Sequence, residues 1–420
     1  MSAKAVRGTR DLLTGDIEYF QYIEDIARQM FKNADYDEIR TPIFEETELF
    51  VRGIGEETDI VSKEMYTFPD KKGRSLTLRP EGTAPVVRAL IENNLLNQKS
   101  IQKLYYTGPM FRYERPQQGR YRQFYQIGME IFGSDSPVAD AEIIYLCSTL
   151  LKKIGFKDNI TKINNIGCKK CRPNYTDELK QFLKSKSANL CEDCNRRAEI
   201  NPMRALDCKI PQCIEEYKNI PLINKFVCDE CWDHFDMVKL LLDKQGLQYE
   251  INPRLVRGFD YYSKTVFETT LGGLGSQDAV LGGGRYDGLV EDLGGKPTPA
   301  IGAGFGLDRL VLAIKSNNID IAIKPIDIYF LCLAESLYAE SFRIINIARE
   351  NNLKVRFDFS TRSMKSGLRQ ANTANARFVC LFGEDEFIRN IIILKNLQNG
   401  EQQEIMLDDL EKHFNNLTID

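Results

Sequence analysis

From Leu104 to Phe132 the chain alternates aromatic with polar residues on either side of a Pro116-Gln-Gln-Gly119 centre. A period of two predicts two long strands joined by a loop. Residues two apart on a strand share a side, so Arg112 and Glu114 are expected on one face, and Phe124, Gln126 and Glu130 on one face of the returning strand. The loop adds Arg115, Arg120 and Arg122. A fixed cation, carboxylates, an amide and an aromatic plate side by side suit a phosphate or carboxylate ligand and a stacked purine ring. A solvated, charged hairpin would carry the same residues.

At 420 residues the chain exceeds one ordinary domain, and length alone suggests two or three. Ile17, Phe20, Ile23, Ile26, Ala27, Met30 and Phe31 recur at helical spacing. Leu76 to Leu78 reads as a strand, Ala84 to Leu96 as a helix, Arg257 to Thr270 as extended, and Leu307 to Ile314 as a helix. Glycines crowd at Gly272, Gly273 and Gly275, at Gly282 to Gly284, and at Gly302, Gly304 and Gly306. These runs fit neither a dinucleotide fingerprint nor a P-loop. They predict close backbone approach to a ligand or a facing strand, with tight turns as the alternative. After Pro325, strands at 326–333, 354–359 and 377–382 alternate with helices at 337–351 and 364–375, which predicts a small α/β domain with a partly parallel sheet.

Eleven cysteines stand against two histidines. Eight of them form four pairs: Cys168 and Cys171, Cys191 and Cys194, Cys208 and Cys213, Cys228 and Cys231. Short spacing of this kind points two thiolates at one tetrahedral ion, and eight thiols would supply two four-cysteine zinc sites. Unliganded thiols are the alternative. The N-terminus has no apolar signal region and no stretch reaches the roughly 18 apolar residues of a membrane span. An intracellular, cytoplasmic location is therefore expected, with thiols or metal ligands rather than disulfides. With 56 basic and 60 acidic residues the net charge is −4, which speaks against a nucleic-acid binder that works by bulk charge. Local patches can differ from the sum: Arg343 to Arg377 holds eight basic and two acidic residues, Phe378 to Asp420 three and nine.

Several of these stretches together resemble class II aminoacyl-tRNA synthetases, and among them the bacterial-type histidyl-tRNA synthetases. Arg40-Thr41-Pro42 resembles the first class II motif, at the dimer interface. Phe111-Arg-x-Glu114 through Phe124 resembles the second, and Gly302-x-Gly-x-Gly-x-x-Arg309 the third. Leu255-Val-Arg257-Gly-Phe-Asp-Tyr261-Tyr262, Thr265-Val-Phe-Glu268 and Gly282-Gly-Gly-Arg-Tyr-Asp-Gly288 resemble stretches specific to the histidine enzymes. Tyr125 stands where familiar relatives have His, and alternation turns it away from Phe124 and Gln126.

The resemblance implies an α+β catalytic core on an antiparallel sheet flanked by helices, with a helical Cys-rich insertion and a C-terminal α/β anticodon-binding domain. The expected boundaries are 1–167 and 246–322 for the core, 168–245 for the insertion, and 323–420 for the last domain. It implies a cytoplasmic homodimer that activates L-histidine with ATP and Mg2+ and then charges tRNA(His). By similarity Arg112, Arg257 and Arg309 are catalytic; Arg112, Glu114, Arg120, Phe124 and Arg309 bind ATP; and Gln117 meets the tRNA acceptor end. Histidine would be held by Glu81, Gly82, Thr83, Arg112, Gln126, Glu130, Arg257, Tyr261 and Tyr262. No editing domain is expected, because a site built for imidazole hydrogen bonds already rejects apolar amino acids. One rival is a histidine-binding regulatory paralogue of ATP phosphoribosyltransferase that charges no tRNA. Another is a zinc-stabilised RNA-binding protein, which accounts for the cysteines but not for the arginines.

Overall fold

An eight-stranded sheet organises the larger unit of the chain. Its strands are β1 (Asp37–Glu38), β2 (Gln102–Phe111), β3 (Gln123–Phe132), β4 (Ile160–Asn165), β5 (Tyr249–Ile251), β6 (Ser263–Thr270), β7 (Ala279–Arg285) and β8 (Ala300–Gly306). Their order across the sheet is β1-β2-β3-β8-β7-β6-β4-β5. The central pairings are antiparallel, and only the two edge pairs, β1 with β2 and β4 with β5, are parallel. This computed structural model describes residues 3–56, 58–157, 159–272, 279–321, 325–360 and 363–417. The chain divides into two units, Met1–Ile321 and Ala322–Asp420.

Alternation gives the sheet two unlike faces. Tyr105, Ile127, Met129 and Ile131 pack with Phe20, Ile23, Ile143, Leu150 and Leu310 from the helices Ile17–Asn33, Pro137–Ile154 and Leu307–Ser316. Each such side chain, fully buried, stabilises the fold by about 1.5–3 kcal/mol. Leu104, Tyr106, Met110 and Phe132 face the other way, into a cluster that also holds Val86, Tyr262 and Tyr286. On that second face the helix Thr83–Glu92 covers one part, through Val86, Val87 and Leu90, and a cavity lies over another.

The segment after β4 is helical, with Arg172–Ser185, Glu192–Ile200 and Pro211–Glu216. Its apolar centre, including Tyr175, Leu179, Tyr217 and Ile223, is continuous with the cluster on the second sheet face. Its last helix, Asp229–Lys244, sends Phe235, Val238 and Leu242 into the helical layer on the first face instead.

Several local expectations are corrected. Strand β2 ends at Phe111, so Arg112 and Glu114 lie in the loop beyond it, not on a strand. The helix expected from Ala84 to Leu96 stops at Glu92, because Asn94 takes a left-handed turn with φ of 50° and Leu95–Gln98 forms a separate turn. Extended structure starts at Ser263, and Arg257 to Tyr262 is irregular. The runs at Gly282 and Gly302 lie inside β7 and β8 rather than in tight turns. Gly273 and Gly275 lie outside the described residues.

The second unit carries a five-stranded sheet in the order Val355–Phe357, Ile326–Cys332, Ala376–Phe382, Ile391–Asn396, Gln402–Met406. The first three strands are parallel and the last two antiparallel to their neighbours. Of the basic run, Arg343 pairs with Glu340 at 2.5 Å and Arg377 with Asp327 at 3.3 Å, and Arg362 lies outside the described residues.

In the larger unit a buried ion cluster fixes the end of β7. Arg285 is fully buried and donates to Asp140, to Asp287 at 3.1 Å and to the carbonyls of Ser134 and Ser136 at 2.9 and 3.2 Å. His234 on the returning helix meets the same Asp140 at 3.1 Å. Removing one partner of such a pair leaves a buried charge uncompensated. Asp140→Asn is expected to lower stability by about 3–5 kcal/mol in urea unfolding; a loss below about 1 kcal/mol would show that Asp287 and the carbonyls suffice.

Candidate active site

Above the second face of β3, β8 and β7 lies a cavity of about 380 Å³, within the usual range for a small-molecule site. Its floor is backbone. Gly282 pairs with Gly304 and Gly284 with Gly302 across β7 and β8. A Cβ added at Gly282 would fall on the Arg257 guanidinium, and one at Gly302 on the Glu130 carboxylate. The glycines thus clear the space that these two side chains occupy, which is the close approach the sequence suggested.

At one end of the cavity Glu130 is buried among hydroxyls. Its Oε1 accepts from Thr83 Oγ1 at 2.9 Å and Tyr106 Oη at 3.4 Å, and its Oε2 from Tyr286 Oη. Glu81 beside it accepts from the backbone N–H groups of Thr83 and Ala84 at 2.6 and 2.8 Å, closing the N-terminus of the helix Thr83–Glu92. Tyr261 and Tyr262 form an aromatic wall, with ring centroids 4.7 Å apart. Burial pushes the Glu130 carboxyl up to about 8 despite these donors. A neutral acid in a pocket of hydroxyls can donate as well as accept.

The other end is cationic. Arg112 Nε donates to the Pro80 carbonyl at 2.9 Å, and its guanidinium lies 5.3 Å from the centre of the Phe124 ring. Glu114 pairs with Arg120 at 2.9 Å and with Arg112 at 3.8 Å. Arg257 pairs with Glu268, and Arg309 Nη1 donates to the Ala279 carbonyl at 2.6 Å. Burial, then the like charge of Arg120, hold the Arg309 pKa below its ordinary value. A cation held at such a cost suits an anionic ligand.

The cavity therefore gathers every residue that the resemblance assigns to ATP. It also gathers Glu81, Gly82, Thr83, Gln126, Tyr261 and Tyr262 from the histidine set, with Glu130 in contact behind Thr83. Gln117 is not part of it; it is exposed at the loop tip, bridged to Arg120. The Tyr125 ring packs edge-on against Phe20, 5.7 Å away, on the helical side of the sheet. Sequence reading missed Tyr106 and Tyr286 as partners of Glu130. Tyr106 could have been found by alternation, since it pairs across from Gly128, two residues before Glu130.

The eight clustered cysteines form two groups that are nested along the chain. Cys168, Cys171, Cys228 and Cys231 come together, and so do Cys191, Cys194, Cys208 and Cys213. Within each group the Sγ atoms lie within 4.8 Å of one another. Measured separations are 3.6 Å for Cys168 to Cys171 and 4.0 Å for Cys191 to Cys208, against about 3.8 Å for sulfurs around a tetrahedral zinc with bonds of about 2.3 Å.

A mostly antiparallel sheet bearing an arginine-lined cavity beside a carboxylate pocket, joined to a second α/β unit, defines a class II aminoacyl-tRNA synthetase. Residues 8–310 match the family model described as Histidyl-tRNA synthetase, and residues 320–417 that described as Anticodon binding domain. The chain belongs to the histidyl-tRNA synthetase family. A protein of Halothermothrix orenii named Histidine–tRNA ligase is 48% identical over 418 residues, covering 99% of this chain and 100% of that protein. The crystal structure of apo S. aureus histidyl-tRNA synthetase superposes with a TM-score of 0.83 at 35% identity, covering 99% of this chain and 100% of that one. A structure titled ATP phosphoribosyltransferase regulatory subunit/histidyl-tRNA synthetase, from Bacillus halodurans C, shares the fold, with a TM-score of 0.66 at 23% identity over 90% of this chain and 98% of that one. Identity of 48% over the full length of a protein named Histidine–tRNA ligase favours the ligase over the regulatory rival.

Glu130 is expected to cost the ligand-free protein stability as pH rises from about 4.5 to about 8. The folded state keeps a proton that the unfolded chain, with a carboxyl near 4.5, has lost. The stabilisation is complete below 4.5 and disappears as pH rises through about 8. Denaturant midpoints should therefore fall between those pH values, and Glu130→Gln should flatten the fall; an equally steep decline in the variant would place the proton elsewhere.

Proposed function

We propose a division of labour within the cavity for the activity that family membership gives this chain, ATP-dependent ligation of histidine to tRNA. ATP enters with Mg2+, the histidine carboxylate attacks the α-phosphorus to give histidyl-adenylate and pyrophosphate, and histidine then passes to the 3′-terminal adenosine of tRNA(His). Such a reaction needs in-line positioning and fixed charge more than covalent help. The observation that carries the assignment is the pairing of one cationic end with one buried carboxylate end over a floor of backbone.

In this reading Phe124 lies under the adenine, Glu114 by the adenine and phosphates, Arg309 at the γ-phosphate, and Arg120 at the outer phosphates. Arg112 and Arg257 flank the α-phosphate and the substrate carboxylate. Glu81, Thr83 and Gln126 hold the α-ammonium. Glu130 and Tyr262 meet the two imidazole nitrogens, with Gly82 and Tyr261 closing the pocket around them. Gln117, exposed at the loop tip, is free to meet the tRNA acceptor end. The active form is a homodimer of the cytoplasm; exposed Ile43 and Phe44 beside Arg40-Thr41-Pro42 support such an interface, and among the described residues no helix is long and apolar enough to cross a membrane.

The decisive assay is histidine-dependent exchange of labelled pyrophosphate into ATP. Arg257→Ala should lower the exchange rate by about two orders of magnitude or more while leaving tRNA affinity nearly unchanged. Equal loss of both would remove Arg257 from the chemistry.

The two four-cysteine groups each hold a structural zinc. Backbone N–H groups already point at the sulfurs, from Cys228 to Cys171 Sγ at 3.2 Å and from Cys191 to Cys213 Sγ at 3.2 Å, as they do around bound thiolates. Metal analysis of protein purified without added zinc should return about two ions per chain, one for each four-ligand site. A value below about one overturns the assignment.

A further inference from the structure

The inner cysteine group lies beside the catalytic cavity, and the chain between its ligands runs along the cavity wall. The turn Pro202–Asp207 packs on the Leu255 to Tyr262 motif: Asn201 Nδ2 donates to Asp260 Oδ1 at 2.8 Å, and Arg204 Nη1 to the Arg257 carbonyl at 3.4 Å. The helix before it is held by Arg197, which pairs with Asp59 at 3.0 Å. Next comes Asp207-Cys208-Lys209. Cys208 contributes its Sγ to the inner group, while the residues on either side of it, Asp207 and Lys209, both line the catalytic cavity.

We infer that Lys209 is a further phosphate-binding residue of the active site, positioned there by the seat of Cys208 in the inner cysteine group. A lysine ammonium is a compact, strongly hydrated point charge on a flexible stem, and it binds a phosphate oxyanion without the fixed fork geometry of arginine. Left to itself such a stem samples many rotamers, so its backbone must be aimed. Here it is aimed from both sides. Cys208 N donates to the Ala205 carbonyl at 3.0 Å, and Ile210 N to Cys208 Sγ at 3.5 Å, so the turn closes around the sulfur. With that sulfur bound in a four-ligand site, the backbone one residue on has little freedom to leave the cavity.

The oxyanion can come from the polyphosphate of ATP or from the terminal phosphodiester of tRNA. The proposal rests on the ligase reading and on zinc in the inner group, and the measurements separate these. Unaltered protein is assayed for pyrophosphate exchange and zinc content, which test the two premises directly. Lys209→Ala and Lys209→Arg are then compared in the exchange assay and in single-turnover transfer from preformed histidyl-adenylate to tRNA. The Ala variant is expected to lose about tenfold to a hundredfold in one of the two, with full zinc content and with most of the loss restored by Arg. A raised KM for ATP in exchange assigns the phosphate to ATP; a loss confined to transfer assigns it to tRNA. No loss in either assay overturns the proposal. For the positioning role, Lys209→Ala is repeated in Cys208→Ser and in Cys213→Ser, the latter breaking the same group without altering the 207–209 turn. The effect of removing Lys209 should largely vanish in both backgrounds; full additivity would show that the inner group does not aim Lys209.

Discussion

Everything in the catalytic unit is arranged around two neighbouring strands that carry no side chains over the middle of the site. A glycine in a strand costs about 0.5–1 kcal/mol relative to alanine, and here Gly282, Gly284, Gly302 and Gly304 face one another in the centre of the sheet. Most of the deficit lies on the face that lines the cavity; on the other face Gly283 leaves a gap, which the Phe267 ring fills. On the other face the same strands bury Leu281, Ile301, Ala303 and Phe305 in the helical layer. The sheet can therefore expose a bare trough without losing its anchorage. Side chains that reach into the trough come from neighbouring elements: Glu130 from β3, Arg257 from the irregular segment before β6, and Arg309 from the helix after β8.

The two ends of the trough solve opposite electrostatic problems. At the arginine end, Glu114 and Glu268 pair with Arg120 and Arg257. These pairs keep the cations oriented and partly compensated, so in the proposed reaction little reorganisation is left for the step in which phosphate charge develops. At the carboxylate end the partners of Glu130 among the described residues are hydroxyls, from Thr83, Tyr106 and Tyr286, and no cation. A network of neutral donors orients the carboxyl without committing it to a salt bridge, and it leaves the pocket strongly unfavourable for an apolar side chain that could satisfy none of these groups.

The sequence revealed periodicity and residue chemistry well, and juxtaposition poorly. Alternation located the strand pair of β2 and β3 within a few residues, because a half-buried hairpin imposes a period of two. It failed at Arg112 and Glu114, which continue the pattern for three residues after the ladder has ended at Phe111. The glycine runs announced close approach but not what approaches, since Arg257 and Glu130 come from other elements. Cysteine spacing suggested two four-cysteine groups but not which pairs come together; the first pair joins the fourth and the second joins the third, a grouping that only the tertiary fold decides. Beyond Phe382 the strands Ile391–Asn396 and Gln402–Met406 escaped the sequence reading. Net charge misled as well: a sum of −4 hid the separate cationic patches of a tRNA ligase.

The insertion follows from the same physics. A segment of this size buries a smaller share of its surface than a large domain does, so added anchorage contributes in proportion. Two features provide that anchorage. Its interior is continuous with the site face of the sheet, so Tyr175 and Tyr217 share a cluster with Tyr262 and Tyr286. Its two ends meet at the outer cysteine group, where the chain leaves β4 and returns to the helix Asp229–Lys244. That neck is stitched to the aromatic wall of the cavity: Asn165 Nδ2 donates to the Cys231 carbonyl at 2.8 Å, Lys264 N to the Gly167 carbonyl at 2.9 Å, and Arg172 to the Tyr262 carbonyl. An insertion joined to the core this way cannot be treated as a separate appendage, because the hydrogen bonds that hold its base also hold one wall of the pocket.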